Sequence, residues 1–124
     1  MIYGIGIDVL STAKLDDLRG NFDDPFYCKT FTAAEYDAGL KRADPLAYFC
    51  ERFAAKEAVF KALNISSAEF RFTDIETLNN ETGMPYITLY GSAKRLSDEL
   101  GIKRLHISLS CDGGYAAAFA VCEV

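Results

Sequence analysis

The stretch from Pro45 to Leu63 restricts the fold more than any other part of this sequence. Asp44 followed by Pro45 is a helix start, because an aspartate oxygen caps free amides and proline at the first helical position loses no hydrogen bond. At about 100° per residue, Phe53, Ala54, Ala55, Ala58, Val59, Phe60, Ala62 and Leu63 surround the axis almost completely. A helix apolar on nearly every side belongs inside a domain. The rest of the 124-residue chain must therefore wrap it. Its polar residues then need a reason. Glu57 and Lys61 lie one turn apart, at about 140° and 180° from Arg52, while Lys56 lies at about 40°.

Around this helix the pattern predicts an α+β fold, a small antiparallel sheet packed on a long central helix. Residues 2–10 form a β-rich run with Gly4 and Gly6 where something approaches the backbone closely, ending on the acid Asp8. Ser11 opens a helix over 12–19, residues 21–25 form a loop, and Thr32-Ala33-Ala34-Glu35 has the form of a capping box whose helix reaches about Arg42. Strands near 69–78 and 85–90 flank an Asn79-to-Gly83 turn. Gly91-Ser92 opens an amphipathic helix stopped by Gly101. Two final strands, 104–111 and 115–123, are joined by Cys111-Asp112-Gly113-Gly114. With 50% hydrophobic and 25% charged residues, residues 1–124 make one domain.

The formal charge of −5 argues against nucleic-acid binding, which needs a concentrated basic face. The acidity is evenly spread, so an anionic ligand must be held by local groups. No run approaches the roughly 18 apolar residues of a membrane span, and the first residues lack the pattern of a secretory leader. The expectation is a cytoplasmic protein without membrane partners. Cys28, Cys50, Cys111 and Cys122 form no C-x-x-C pair and are expected to be thiols, Cys50 and Cys122 as small core residues. The lone histidine, His106, weighs against zinc.

Three blocks together resemble a known family. They are Gly4-Ile5-Gly6-Ile7-Asp8, then Arg52-Phe53-Ala54-Ala55-Lys56-Glu57-Ala58-Val59-Phe60-Lys61-Ala62, then His106-Ile107-Ser108-Leu109-Ser110 running into Tyr115-Ala116-Ala117-Ala118-Phe119. In that order and spacing they are similar to the holo-acyl-carrier-protein synthases, the short type of 4′-phosphopantetheinyl transferase. Asn80-Glu81-Thr82-Gly83-Met84-Pro85 is similar to the family's N-x-x-G-K-P segment.

The resemblance implies transfer of the phosphopantetheine arm of coenzyme A to a serine of an acyl carrier protein, releasing adenosine 3′,5′-bisphosphate. Such phosphoryl transfer must neutralise a crowded pyrophosphate and align the incoming hydroxyl. Mg²⁺, which usually takes only one or two carboxylates, suits the task, and the family's metal ligands fall on Asp8 and Glu57. Lys61 either stabilises transition-state charge or helps deprotonate the carrier serine. Arg52 and Lys56 are expected at other phosphates of the coenzyme, with Ser108 and Ser110 beside the acids as hydrogen-bonding hydroxyls. Lys14, Arg19 and Lys29 are candidates for docking the acidic carrier, although Asp16, Asp17, Asp23 and Asp24 interrupt them. The family also implies a homotrimer with active sites between subunits.

Without the resemblance each residue has a plainer reading. Glu57 with Lys61 matches a surface pair worth about 0.3–0.5 kcal/mol. Asp8 then becomes a strand-end acid, the serines ordinary strand residues and His106 structural. The chain departs from the family at Cys111, where histidine is usual, at Met84, where lysine is usual, and at Asn64-Ile65-Ser66-Ser67, where glycines are usual. These departures motivate an alternative, a non-catalytic coenzyme A-binding scaffold. A metal-dependent phosphohydrolase would need more metal ligands. Cys111 is not expected to be a nucleophile, because the reaction needs none and no base is adjacent.

Overall fold

The computed structural model describes residues 1–18, 21–66 and 70–124. In chain order the elements are β1 (Ile2–Ser11), a 3₁₀ segment over Thr12–Leu18, α1 (Pro25–Thr30), α2 (Ala33–Leu40), α3 (Pro45–Ala62) and a 3₁₀ turn over Phe72–Asp74. They continue with β2 (Ile75–Asn79), β3 (Pro85–Leu89), α4 (Gly91–Leu100), β4 (Arg104–Asp112) and β5 (Tyr115–Glu123). The strands form a three-stranded antiparallel sheet in the order β1-β5-β4 and a separate hairpin of β2 and β3.

Helix α3 is the core, as its sequence requires. Ala54, Ala55, Ala58 and Val59 are fully buried, and Ala116, Ala118, Ala120 and Cys122 of the central strand β5 pack toward it. β1 comes closest of all. A Cβ on Gly6 would stand 1.9 Å from the Ala58 carbonyl oxygen, and one on Gly4 would stand 2.1 Å from that of Ala62. Only glycine permits this backbone-to-backbone contact. The two-residue strand period puts Asp8 and Leu10 on the same inward face as the glycines. At the other end of α3, Phe49 meets Tyr27 and Phe31 with ring centroids 5.0 and 4.9 Å away.

Local signals act as the sequence implies. Thr32 and Glu35 form both arms of the capping box, Asp44 accepts from the amide of Ala47, and Gly101 ends α4 at φ 73°. Three details differ. The predicted 12–19 helix is 3₁₀ over Thr12–Leu18, and Arg19 lies outside the described residues. The strand expected near 69–78 starts at Ile75, after a 3₁₀ turn, with 67–69 outside the described residues. Helix α1 was not expected, yet Asp24 and Pro25 repeat the Asp-Pro start signal, with the Phe26 amide donating to Asp24 at 2.8 Å.

On the face of the sheet turned away from α3, strands β1 and β5 expose an apolar band. Ile5 and Val9 are each 59% exposed, and Ile7, Tyr115 and Phe119 join them. Among the described residues no helix is long and apolar enough to cross a membrane. Cys50 and Cys122 are buried, Cys28 and Cys111 are exposed, and none of the four forms a disulfide.

Candidate active site

Contact between β1 and α3 brings together three of the residues singled out in the sequence. Asp8 faces inward from β1, and Lys61 donates to it at 3.3 Å and to the Ile7 carbonyl at 2.9 Å. Glu57, one turn before Lys61, is close enough to feel Asp8. Burial first, and then the Asp8 charge, push the Glu57 carboxyl above its ordinary range, while Lys61 and Lys14 pull it back. With the Asp8 carboxylate disfavouring the ionised form of Glu57, the pair makes a site that attracts a cation. The influence of Lys14 on Glu57 was not foreseen, because it depends on how the Thr12–Leu18 segment sits against α3 rather than on its local pattern.

Arg52 lies elsewhere. It is 3% exposed, and its guanidinium donates to the Asn79 side chain and stacks on Tyr48, 4.3 Å from the ring centroid. It borders a cavity of about 680 Å³ between α3, the β2–β3 turn and β4, shared with Arg42, Tyr48, Asn79, Met84 and Ser108. Arg42 stacks on the same Tyr48 ring, at 5.1 Å. The Nε of Arg52 and the hydroxyl of Tyr48 are buried without hydrogen-bond partners. Two guanidiniums around one ring, with unpaired donors, make a place for an anion. Arg42, Tyr48 and Asn79 were not among the expected site residues, because they meet Arg52 only through the fold.

Lys56 does not join either group, against the expectation that it faces coenzyme phosphates. It is fully buried, donating to Glu35 at 2.7 Å, to the Phe72 carbonyl at 2.9 Å and to the Ile75 carbonyl. All three ammonium protons are thereby used. Burial pulls its pKa down despite the pairing with Glu35. The other oxygen of Glu35 accepts from the Thr77 amide at 2.9 Å, so the pair ties α3 to α2 and β2.

Ser108 and Ser110 are likewise not beside the acids of their own chain. Leu109 and Asp8 both pair with Ala118 and share the inward face, so the two serines project from the opposite, exposed face. His106 lies on that face too, 2.5 Å from Glu123, and this hydrogen bond lowers the Glu123 pKa. Cys111 is held above the ordinary thiol range by burial and by the charges of Glu51, Asp44 and Asp112, the reverse of an activated nucleophile. Where glycines were usual after α3, Asn64 takes the left-handed conformation at φ 56°, a role asparagine tolerates. Ser67 of that segment lies outside the described residues.

Comparison with known proteins bears on the same arrangement. Residues 4–120 match the 4′-phosphopantetheinyl transferase superfamily. The chain is 37% identical over 123 residues to the holo-[acyl-carrier-protein] synthase of Halothermothrix orenii, covering 99% of this chain and 98% of that one. The crystal structure of the Neisseria meningitidis holo-[acyl-carrier-protein] synthase is similar at a TM-score of 0.87 and 34% identity, covering 100% of both chains. The Helicobacter pylori enzyme, solved in complex with coenzyme A, gives 0.82 and 30%, covering 96% of this chain and 99% of that one.

Proposed function

The chain belongs to the 4′-phosphopantetheinyl transferase superfamily, and on that premise we propose that Asp8, Glu57 and Lys61 form the centre of its reaction. The protein is a holo-acyl-carrier-protein synthase: it transfers the 4′-phosphopantetheine group of coenzyme A to a serine of an apo acyl carrier protein. The serine oxygen forms a bond to the β-phosphorus as the pyrophosphate bond breaks. The serine proton is lost, and adenosine 3′,5′-bisphosphate leaves.

The observation that carries the site assignment is the meeting of Asp8 and Glu57, two acids separated by most of α3 and the preceding chain, on one partly buried surface. Mg²⁺ fits there. It favours oxygen ligands and needs few carboxylates from the protein. Among the described residues no group of three or more His, Cys, Asp or Glu side chains forms a dedicated metal cage. Held by Asp8 and Glu57, the ion would neutralise charge on the pyrophosphate. Lys61 supplies a further positive charge. Its two contacts are those of an ammonium donating to a carbonyl and a carboxylate, which favours charge stabilisation over proton abstraction from serine. Arg52, with its unpaired Nε, serves a coenzyme phosphate in the cavity beneath β4. Lys56 is left out of the coenzyme site.

The acids sit on the β1 side of the sheet, whereas Ser108 and Ser110 project from the outer face of β4. A homotrimer sharing its active sites between subunits brings these parts together, and the exposed apolar band of Ile5, Ile7, Val9 and Phe119 supplies the surface for it. Lys14 and Lys29, both exposed, remain the proposed contacts for the acidic carrier. Four cysteines without a disulfide support a reducing, cytoplasmic setting. The scaffold alternative is not favoured, because a scaffold has no use for two mutually repelling acids beside a lysine.

The test is mass spectrometry of an apo acyl carrier protein incubated with coenzyme A and Mg²⁺. The carrier gains the mass of phosphopantetheine with the native enzyme and not with Asp8→Ala or Glu57→Ala. Full modification by both variants would remove the acids from the reaction.

A further inference from the structure

The Arg52 guanidinium stacks on Tyr48 and donates to Asn79, and we propose that Asn79 is a positioning residue for coenzyme binding in this chain. The proposal rests on the reading of Arg52 as a coenzyme ligand. The wall of the Arg52 cavity formed by Met84, Pro85 and Tyr86 belongs to the β2–β3 hairpin, which shares no hydrogen-bond ladder with the three-stranded sheet carrying the opposite wall. The width of the cavity is therefore set by side chains rather than by strand pairing.

Asn79 is the side chain placed to set it. At the last position of β2, its amide oxygen accepts from the Arg52 guanidinium, and its amide nitrogen donates to the Gly83 carbonyl at 2.8 Å. One planar group thus joins the buried cation on α3 to the turn that forms the far wall. That turn is a stiff lever. Asn80 accepts from the amides of Thr82 and Met84, both at 3.0 Å, and Gly83 takes φ 87°. The bond to Asn79 uses one arm of the guanidinium and leaves Nε buried and unpaired in a residue that lines the cavity. An arginine fixed before the ligand arrives loses less freedom on binding.

The test is a double-mutant cycle on the full-length enzyme, with Arg52→Ala, Asn79→Ala and the pair, reading KM for coenzyme A, KM for the carrier and kcat. Removing Arg52 should raise the coenzyme KM about 10-fold, and removing Asn79 about 3- to 10-fold, the range for an ordinary net hydrogen bond. The pair should be no worse than Arg52→Ala alone, because Asn79 acts through Arg52. The carrier KM and kcat should stay within about twofold for Asn79→Ala, and Asn79→Gln, which keeps the amide, should recover part of the loss. Additive losses in the cycle, or equal rises in both KM values, would mean that Asn79 merely braces the hairpin, and would overturn the proposal. An unchanged coenzyme KM in Arg52→Ala would overturn the assignment of Arg52 itself, and this proposal with it.

Discussion

Lys61 reaches from the last turn of α3 to the carboxylate of Asp8, 3.3 Å away, across the surface where β1 and α3 touch through Gly4 and Gly6. The glycines make that reach possible. Any larger residue at position 6 would hold the strand off the helix and carry Asp8 away from both Glu57 and Lys61.

A lysine that acts by its charge should tolerate another cation better than a neutral side chain. Lys61→Met should lower kcat about 10²- to 10³-fold, the range for removing one preorganised electrostatic group. Lys61→Arg should retain most of the activity. Steady-state kinetics at saturating coenzyme A checks this, and equal losses in both variants would instead make Lys61 the base for the serine.

Ionising Glu57 costs the fold stability, because burial and the Asp8 charge raise its pKa. Its folded-state pKa lies above the unfolded value, so its contribution to stability is full below the unfolded pKa and is lost as pH rises through the folded one. Glu57→Gln should therefore raise the melting temperature at pH 7.5 without divalent ions and flatten the fall in stability above the ordinary glutamate range, while abolishing transfer. Thermal unfolding from pH 4 to 8 provides the measurement. Added Mg²⁺ should raise the melting temperature of the native enzyme and have no such effect on the variant.

Lys56 has a different kind of importance. Replacing it with methionine leaves Glu35 buried opposite no cation, which should cost about 3–5 kcal/mol in urea unfolding. Folded Lys56→Met at low temperature should nevertheless keep the native KM for coenzyme A, unlike Arg52→Ala. Adding Glu35→Gln should recover part of the stability by removing the stranded charge.

The outer face of the sheet gives a prediction about assembly. Ile5→Lys places a charge in the exposed apolar band without touching α3. Sedimentation equilibrium should show the native protein as a trimer and the variant as a monomer with little transferase activity. A fully active monomer would confine each active site to one subunit.

The pattern of the chain determined by itself that α3 would be buried, where α2, α3 and α4 begin, that Asp8 follows glycines at a close backbone approach and that Glu57 and Lys61 share one side of the helix. These follow from short-range rules: capping chemistry, the 3.6-residue turn and the two-residue strand period. The same rules could not distinguish the roles of Arg52 and Lys56, which lie on neighbouring lines of α3. Only tertiary packing decided that Lys56 meets Glu35 and two carbonyls, while Arg52 opens onto a cavity beside Asn79. The serines show the same limit. Strand alternation established that Ser108 and Ser110 share a face, but which face points at α3 depends on pairing with β5, where Leu109 rather than either serine falls in line with Asp8. Local geometry fixes the direction of a side chain relative to its own element, and long-range register fixes what stands opposite it.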